Sequence, residues 1–377
     1  MILITGGGTA GHTNPGIAVA EALVAKGVRR RDIHFVGGER GNEAVLVGDA
    51  GFSIDLLPGR GIQRRFTTEN IGSVYGLLKG LVKGLAIVAK RKPDVVLCLG
   101  GYAAFAASAA AVARRIPLVV TEQNARASAV NRIFGRWARA CALPFPDTDL
   151  PKGVVTGNPI RASIVEAVTA TDPAEARRRL AQRRLPEMPD DVLDHRVLVA
   201  VWAGSLGATR INTAVRELSI RWADRDDLAI YHIIGRRDWN EYKQDPPPAD
   251  HHGLIYTTVE YEDHMADVLV AADFGICRAG ASTVAEIAVA GLGTILVPLP
   301  IATRDHQRAN AQELVSAGAA VLVDDSETTA DRLEGELGPI LESTDRRREM
   351  AAAARSVARP DAATAVAALV LEAGGES

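Results

Sequence analysis

MILITGGGTAGHTNPG, residues 1–16, passes from a short apolar run into glycines and then into a helix-compatible stretch. Ile2 to Thr5 suits a buried strand, and Gly6, Gly8 and Gly11 spell G-x-G-x-x-G behind it. In a strand, loop and helix unit of this kind the glycines let the backbone approach a diphosphate, and the N–H groups of the helix start receive its charge. A dinucleotide site would also want an acid at the end of the second strand. His34-Phe35-Val36-Gly37-Gly38 ends in glycines and offers only Glu39, so the loop alone names no cofactor.

The same alternation continues outward. Ile33 to Val36, Ile54 to Leu57, Val95 to Leu99 and Leu118 to Thr121 are apolar runs bounded by Gly, Pro or Asp, each followed by a helix-compatible segment. Their continuous apolarity predicts strands buried on both faces of a parallel sheet. The pattern restarts after Gly157-Asn158-Pro159, with a charged helix over Pro173 to Arg184 and strands at Val197 to Val201, Ile230 to Ile234, Phe274 to Cys277, Thr294 to Val297 and Ala320 to Val323. The reading is an α/β chain of two doubly wound lobes, 1–158 and 159–357, with the cleft between them as the default ligand site. An Ala-rich final helix, about Ala362 to Ala373, could dock on either lobe.

At 377 residues the chain fits two domains. With 47% hydrophobic and 24% charged residues and a formal net charge of −3, nothing global suggests a nucleic-acid partner. Cys98, Cys141 and Cys277 are far apart and odd in number, which argues against disulfides and a zinc site and for a reducing cytosol. Met1-Ile2-Leu3-Ile4 runs straight into glycines, so no signal peptide is expected, and no apolar stretch approaches the roughly 20 residues of a membrane span. Asp245-Pro246-Pro247-Pro248 reads as an exposed loop, with His251-His252 beside it solvated rather than metal-binding.

Glycine loops recur at other strand ends. Gly100-Gly101-Tyr102, Gly204-Ser205-Leu206-Gly207-Ala208 and Arg278-Ala279-Gly280-Ala281-Ser282-Thr283 each follow a strand, and the last opens a helix carrying Glu286. Several such loops suggest a ligand rich in phosphate and hydroxyl groups. Glu286 could hold a ribose diol, or simply pair with the positive end of its helix. Arg304-Asp305-His306-Gln307 and Asn310 form a polar cluster after Pro298-Leu299-Pro300, with Asp305 also suited to capping a helix.

In order along the chain, Gly8-Thr9-Ala10-Gly11-His12 with Pro15-Gly16, Gly100-Gly101-Tyr102, Glu122-Gln123-Asn124, Gly157-Asn158-Pro159-Ile160-Arg161, Gly204-Ser205-x-Gly207-Ala208, Arg278-Ala279-Gly280-Ala281 with Thr283 and Glu286, and Asp305-His306-Gln307 with Asn310 resemble the motifs of the MurG family. These are UDP-N-acetylglucosamine:lipid I N-acetylglucosaminyltransferases of peptidoglycan synthesis, tied to cell shape and division. The resemblance covers essentially the whole chain and implies a GT-B fold, two Rossmann-like lobes facing a central cleft, with the C-terminal helix, about 358–377, returning to the first lobe. It implies a donor site in which Ser205 and the helix start at Ala281, Ser282 and Thr283 contact the UDP diphosphate. Glu286 holds the ribose, Gln307 and Asn124 touch the N-acetylglucosamine ring, and Arg161 lies near the phosphates. The uracil is read mainly by backbone near Glu262.

The acceptor, undecaprenyl-linked lipid I, would lie in the first lobe on Thr9, Ala10, Gly11, His12, Gly101 and Tyr102. No cofactor is implied, UDP-N-acetylglucosamine being a substrate. Departures from the family pattern are Ala10, Leu206, His306 and the Gly101 to Ala106 stretch, which lacks a usual glycine and proline.

Inverting transfer needs a base for the attacking hydroxyl, and His12, with an ordinary pKa near ~6.5, is the candidate; a hydrogen bond to phosphate is its alternative role. The departing diphosphate needs charge stabilisation, which helix N–H groups, Ser205 and Arg161 can supply. No D-x-D sits at a strand end, so no catalytic metal is expected.

Residues 60–92 carry Arg60, Arg64, Arg65, Lys79, Lys83, Lys90, Arg91 and Lys92 against the single acid Glu69. On a helix through Val74 to Lys90 the lysines share a face, with Tyr75, Leu78, Leu81, Val82 and Leu85 over much of the rest. Such a helix can lie on anionic lipid or merely cover the sheet with its lysines solvated. The family resemblance favours a peripheral location at the cytoplasmic face of the cell membrane, with cell-wall synthesis proteins as candidate partners. Other readings are a related transferase with another lipid or natural-product acceptor, a UDP-sugar epimerase, a dehydrogenase, or a binding protein without catalysis.

Overall fold

The computed structural model describes residues 1–7, 10–39, 42–58, 69–244 and 253–375. Two units emerge, one of Met1–Ala162 with Arg359–Ser377, the other of Ser163–Ala358. Gly157 has a left-handed φ of 86°, and a Cβ there would lie 2.6 Å from the Cβ of Arg359. This close packing keeps the stretch after 157 with the first unit, so the junction falls at Ala162 rather than at 158.

In the first unit β1 (Ile2–Gly6), β2 (Ile33–Gly38), β3 (Ser53–Leu57), β4 (Val95–Gly100), β5 (Leu118–Thr121), β6 (Ala140–Leu143) and β7 (Gly153–Val155) form one parallel sheet in the order β3-β2-β1-β4-β5-β6-β7. The central strands β1, β2 and β4 are buried along their whole length, as their largely apolar runs predict, with Thr5 and His34 the buried polar residues among them. Successive side chains of β1 enter opposite cores. Ile2 and Ile4 pack with Val19 and Leu23 of the helix Ala10–Ala25 and with Val366, Ala367 and Val370 of the helix Ala362–Gly374, while Leu3 packs with Ala104, Ala107 and Ile87 on the other face. The final helix therefore completes the first unit.

The second unit repeats the plan with β8 (Val197–Trp202), β9 (Leu228–Ile233), β10 (Ile255–Val259), β11 (Phe274–Cys277), β12 (Gly293–Leu296) and β13 (Ala320–Leu322), all parallel, in the order β10-β9-β8-β11-β12-β13. The charged segment forms the helix Pro173–Arg184, capped by the Asp172 side chain accepting from the Ala174 N–H at 3.2 Å. Strands β6, β7 and β10 are additions to the sequence reading. Alanine dilutes the strand signal of β6, β7 is an exposed three-residue edge, and the apolar run of β10 is interrupted by the adjacent Thr257 and Thr258.

The basic segment forms the helix Glu69–Arg91. Arg60, Arg64 and Arg65 lie outside the described residues, as do the side chains of Glu69, Tyr75 and Leu78. Gly84 lets this helix approach Tyr102–Ala113, since a Cβ there would lie 2.8 Å from Ala106 Cβ. Leu81, Ile87 and Val88 turn into the core, so Leu81 does not share the outer face. Lys79, Lys83 and Lys90 are exposed on that outer face beside Val82 (66% exposed) and Leu85.

Both sheets change winding direction at a central pair, β1/β4 and β8/β11. At such a switch point the following loops part and leave a crevice at the carboxyl ends of the strands. The glycine loops of the sequence follow these four strands.

Candidate active site

In the first unit Gly6 of β1 is in register with Gly100 of β4. Gly101 has a φ of 80°, and a Cβ on it would stand 2.3 Å from the Gly7 carbonyl oxygen. The two loops thus touch backbone to backbone, with no room for a side chain. Thr9 lies outside the described residues, as does the side chain of Ala10, where the helix Ala10–Ala25 begins. No acid occupies its first turn, so the helix start remains a favourable place for an anion. Gly11 is exposed and His12 half-buried within that first turn.

Tyr102 opens the helix Tyr102–Ala113 and donates its hydroxyl to the Leu57 carbonyl at 2.8 Å, its ring lying against Gly38. The departures from the family pattern at Phe105 and Ala106 are absorbed by packing. Phe105 meets the Phe134 ring at 5.3 Å and Ala106 is buried beneath Gly84. Asn124 follows β5, half-buried, with its N–H on Glu122 Oε1 at 3.0 Å. Arg161, also half-buried, immediately precedes the helix Ala162–Ala170.

In the second unit the β8 loop turns on two left-handed glycines, Gly204 (φ 79°) and Gly207 (φ 77°), closed by the Gly207 N–H on the Gly204 carbonyl at 3.0 Å. Ser205 is exposed in this turn, its carbonyl receiving the Arg236 N–H at 3.1 Å, and Leu206 projects into solvent. A Cβ on Gly207 would stand 2.0 Å from the Ile234 carbonyl oxygen. That carbonyl is fixed from below by Asn212 Nδ2 at 3.0 Å. Asn212 Oδ1 in turn faces His232 Nε2 at 3.1 Å, and Tyr256 lies 2.8 Å from Nδ1. Burial pushes the His232 imidazole down to about 3, so it stands neutral in this chain.

The β11 loop ends at Gly280, the cap of the helix Ala281–Ala290. Ala281, Ser282 and Thr283 form its first turn, half-buried and without an acid, as an anion-receiving helix start requires. Glu286 falls in the second turn, beyond the reach of the end charge, so pairing with the helix dipole does not account for it. It lies near the end of β11, where burial and then the Glu286 charge raise the Cys277 thiol well above its ordinary value.

Gln307 lies in the first turn of the helix His306–Ala317 and accepts the Leu299 N–H on Oε1 at 2.9 Å, which leaves Nε2 as the end it can present to a ligand. Asn310 Nδ2 reaches the Ala279 carbonyl at 3.3 Å. Arg304 and Asp305 both adopt left-handed conformations, φ 56° and 52°, at about 1 kcal/mol or more each for residues with a Cβ. Asp305 makes no side-chain cap, contrary to the capping expectation.

Two residues play parts the sequence did not suggest. Arg278 turns into the protein: Nη1 donates to the Val297 and Pro298 carbonyls at 3.2 and 3.1 Å, and Nη2 pairs with Asp325 at 2.6 Å. It clamps the β11 loop to the β12 loop. Its partners lie far downstream in sequence, and the only available signal was its place at a strand end.

The second is Glu262. Its side chain is buried, accepting Tyr231 Oη and Arg184 Nη2 (2.9 Å) on Oε2 and the His264 N–H (2.7 Å) on Oε1. Burial pushes this carboxyl up, but Tyr231, the His264 N–H and Arg184 together outweigh it and hold the pKa below the ordinary value. A carboxyl so depressed stabilises the fold at pH above its unfolded value, and that contribution fades as pH falls through the folded value. Glu262→Gln is therefore expected to lower the melting temperature at pH 7 and to flatten its fall between pH 5 and pH 3; an unchanged acid limb in thermal melts would refute the assignment.

All three cysteines are free and buried. Among the described residues no three His, Cys, Asp or Glu side chains gather as metal ligands, and His251 and His252 lie outside those residues.

Comparison with known proteins agrees with this geometry. Residues 2–143 match the glycosyltransferase family 28 N-terminal domain and residues 198–366 its C-terminal domain. A Salinibacter ruber protein named UDP-N-acetylglucosamine–N-acetylmuramyl-(pentapeptide) pyrophosphoryl-undecaprenol N-acetylglucosamine transferase is 39% identical over 98% of this chain and 96% of its own length. The crystal structure of Acinetobacter baumannii MurG superposes with a TM-score of 0.74 at 28% identity, covering 98% of this chain and 99% of that one. A Neisseria meningitidis UDP-GlcNAc 2-epimerase shares the fold alone, with a TM-score of 0.67 at 15% identity over 99% of this chain and 100% of that one.

Proposed function

The chain belongs to glycosyltransferase family 28, with the GT-B fold of that family, and from this premise we propose that it moves N-acetylglucosamine from UDP-N-acetylglucosamine to the C4 hydroxyl of the muramyl sugar of undecaprenyl-linked lipid I. The product is lipid II for peptidoglycan synthesis. The observation that carries this reading is the placement of glycine loops and acid-free helix starts at the switch point of each sheet, over a full-length likeness to transferases of this name.

His12 takes the proton of the attacking hydroxyl as UDP leaves from the opposite face of the sugar, inverting the anomeric centre. The N–H groups at Ala281, Ser282 and Thr283, with Ser205 and Arg161, take up the charge of the leaving diphosphate. Glu286 accepts from the ribose hydroxyls, and Gln307 and Asn124 hold the sugar ring. The acceptor diphosphate lies on the helix start at Ala10 and Gly11, with Thr9 and, alongside, Gly101 and Tyr102 as further contacts. No cofactor takes part. Incubation with UDP-N-acetylglucosamine, with and without a short-chain lipid I analogue, tests the whole: UDP release should depend on the acceptor and survive EDTA. Epimer formation without acceptor would overturn it.

Among the described residues no helix is long and apolar enough to cross a membrane. We place the enzyme peripherally at the cytoplasmic face of the cell membrane, where it meets its lipid-linked acceptor and the proteins of cell-wall synthesis. Support comes from Lys79, Lys83 and Lys90, exposed beside Val82 and Leu85 on one helix. At about 1 kcal/mol per basic residue, reversing all three charges should weaken co-sedimentation with anionic liposomes by roughly 100-fold, and unchanged sedimentation would count against this surface.

A further inference from the structure

Asp325 follows β13 in the short turn Asp325–Glu327, and its side chain is only 11% exposed. It stands on a fixed base. The Asp324 carbonyl receives the Glu327 N–H at 3.0 Å and the Thr328 hydroxyl at 2.9 Å, and the Val323 N–H reaches the Leu296 carbonyl of β12 at 3.0 Å. From this base the carboxylate faces two arginines that belong to separate loops. Oδ1 lies 2.6 Å from Arg278 Nη2, and Oδ2 lies 3.2 Å from Arg210 Nε.

The two arginines flank the loops read as holding the donor diphosphate. Arg210 lies in the first turn of the helix Thr209–Arg221, directly after the β8 loop that carries Ser205. Arg278 lies in the β11 loop, just before the helix start at Ala281. A cation in the first turn opposes the dipole of its own helix, so Arg210 is poorly placed unless an anion answers it. No acid of that first turn does so, and Asp325 supplies the charge from the edge of the sheet where β13 lies.

Arg278 is also held through Nη1 by the Val297 and Pro298 carbonyls. One largely buried carboxylate therefore joins the loops after β8, β11 and β12 into a single wall. Without its charge, two guanidinium groups gathered around one point would repel each other, and the loops that carry them would part. We propose that Asp325 is a positioning residue for the donor: by pairing with Arg210 and Arg278 it fixes the spacing between the β8 loop and the helix start Ala281–Thr283, where the diphosphate of the UDP-sugar is received. This rests on the reading of those two loops as the diphosphate site.

Asp325→Asn in the full-length protein keeps the shape of the side chain and removes its charge. UDP affinity, by calorimetry, should fall about 10-fold, while affinity for uridine, measured by its displacement of UDP, should stay within about twofold because uridine carries no phosphate. Asp325→Glu keeps the charge and should recover most of the loss. Arg210→Gln should weaken UDP by about threefold, and combined with Asp325→Asn it should add little, since both changes break the same pair. If thermal melts show that Asp325→Asn does not fold, Arg210→Gln carries the same comparison of UDP with uridine, its side chain being 58% exposed.

Equal losses for UDP and uridine would mean that Asp325 supports the unit at large. Unchanged UDP affinity would mean that the spacing is set elsewhere, and tighter UDP binding that the arginines are being withheld from the phosphates. Each of these results overturns the proposal. Failure of the donor reading is seen separately, since the unmodified protein would then bind neither UDP nor uridine, and the proposal would fall with it.

Discussion

Replacement of His12 by alanine is expected to lower kcat by about 100- to 10,000-fold while leaving UDP-N-acetylglucosamine affinity, measured by calorimetry, within about twofold. The size follows from removing a general base from a reaction whose nucleophile is an un-ionised hydroxyl. The selectivity follows from role: His12 stands in the proposed acceptor loop of the first unit, whereas most of the proposed donor contacts, Ser205, Glu286 and Gln307 among them, belong to the second. Because His12 lies in the first turn of the helix Ala10–Ala25, a hydrogen bond from its ring to the acceptor diphosphate is the competing role. His12→Asn separates the two. Asparagine keeps a donor but cannot take the proton, so its kcat should fall as far as that of alanine. Activity near the unmodified level would assign His12 to phosphate binding instead.

Gly207→Ala is expected to weaken UDP binding by roughly 10- to 100-fold. Two costs add at this position. A left-handed conformation costs a residue with a Cβ about 1–2 kcal/mol. In addition, the methyl would stand 2.0 Å from the Ile234 carbonyl, which Asn212 holds in place, so the β8 loop and Ser205 must move. Gly204→Ala is the control: its φ of 79° carries the first cost, but nothing lies within 4 Å of the added carbon. Calorimetry with UDP should therefore show a clearly smaller loss for Gly204→Ala. Equal losses would mean that contact with Ile234 does not govern the loop.

Both predictions rest on features legible in the sequence: His12 stands out as the histidine beside a glycine loop, and a glycine such as Gly207, needed for a left-handed turn and a backbone contact, leaves its mark at one position. The central strands were legible for a related reason, since burial on both faces leaves β4 and β8 apolar throughout and β1 apolar but for Thr5. Edges were not: β7, exposed along its length, is only Gly153-Val154-Val155, an apolar pair too short to read as a strand. Glu286 shows a subtler limit. Its distance from the helix start decides whether the dipole can explain it, and that start was fixed by Gly280 capping the helix. Arg278 and Glu262 escaped for a third reason: an arginine aimed at carbonyls and a carboxylate aimed at N–H groups are spelled like ligand-facing ones.

The helix Ala362–Gly374 has a consequence for how the chain comes to be folded. Val366, Ala367 and Val370 close a core begun by Ile2, Ile4 and Leu97, so that core lacks one wall until the last part of the chain has been made. The second unit draws only on Ser163–Ala358 and has all its parts earlier. During synthesis the usual order is therefore reversed, the later-encoded unit being able to finish first while the residues under the proposed acceptor loop wait, incompletely covered, for their partner. Any chaperone that attends this protein as it emerges has its longest task at the beginning of the sequence.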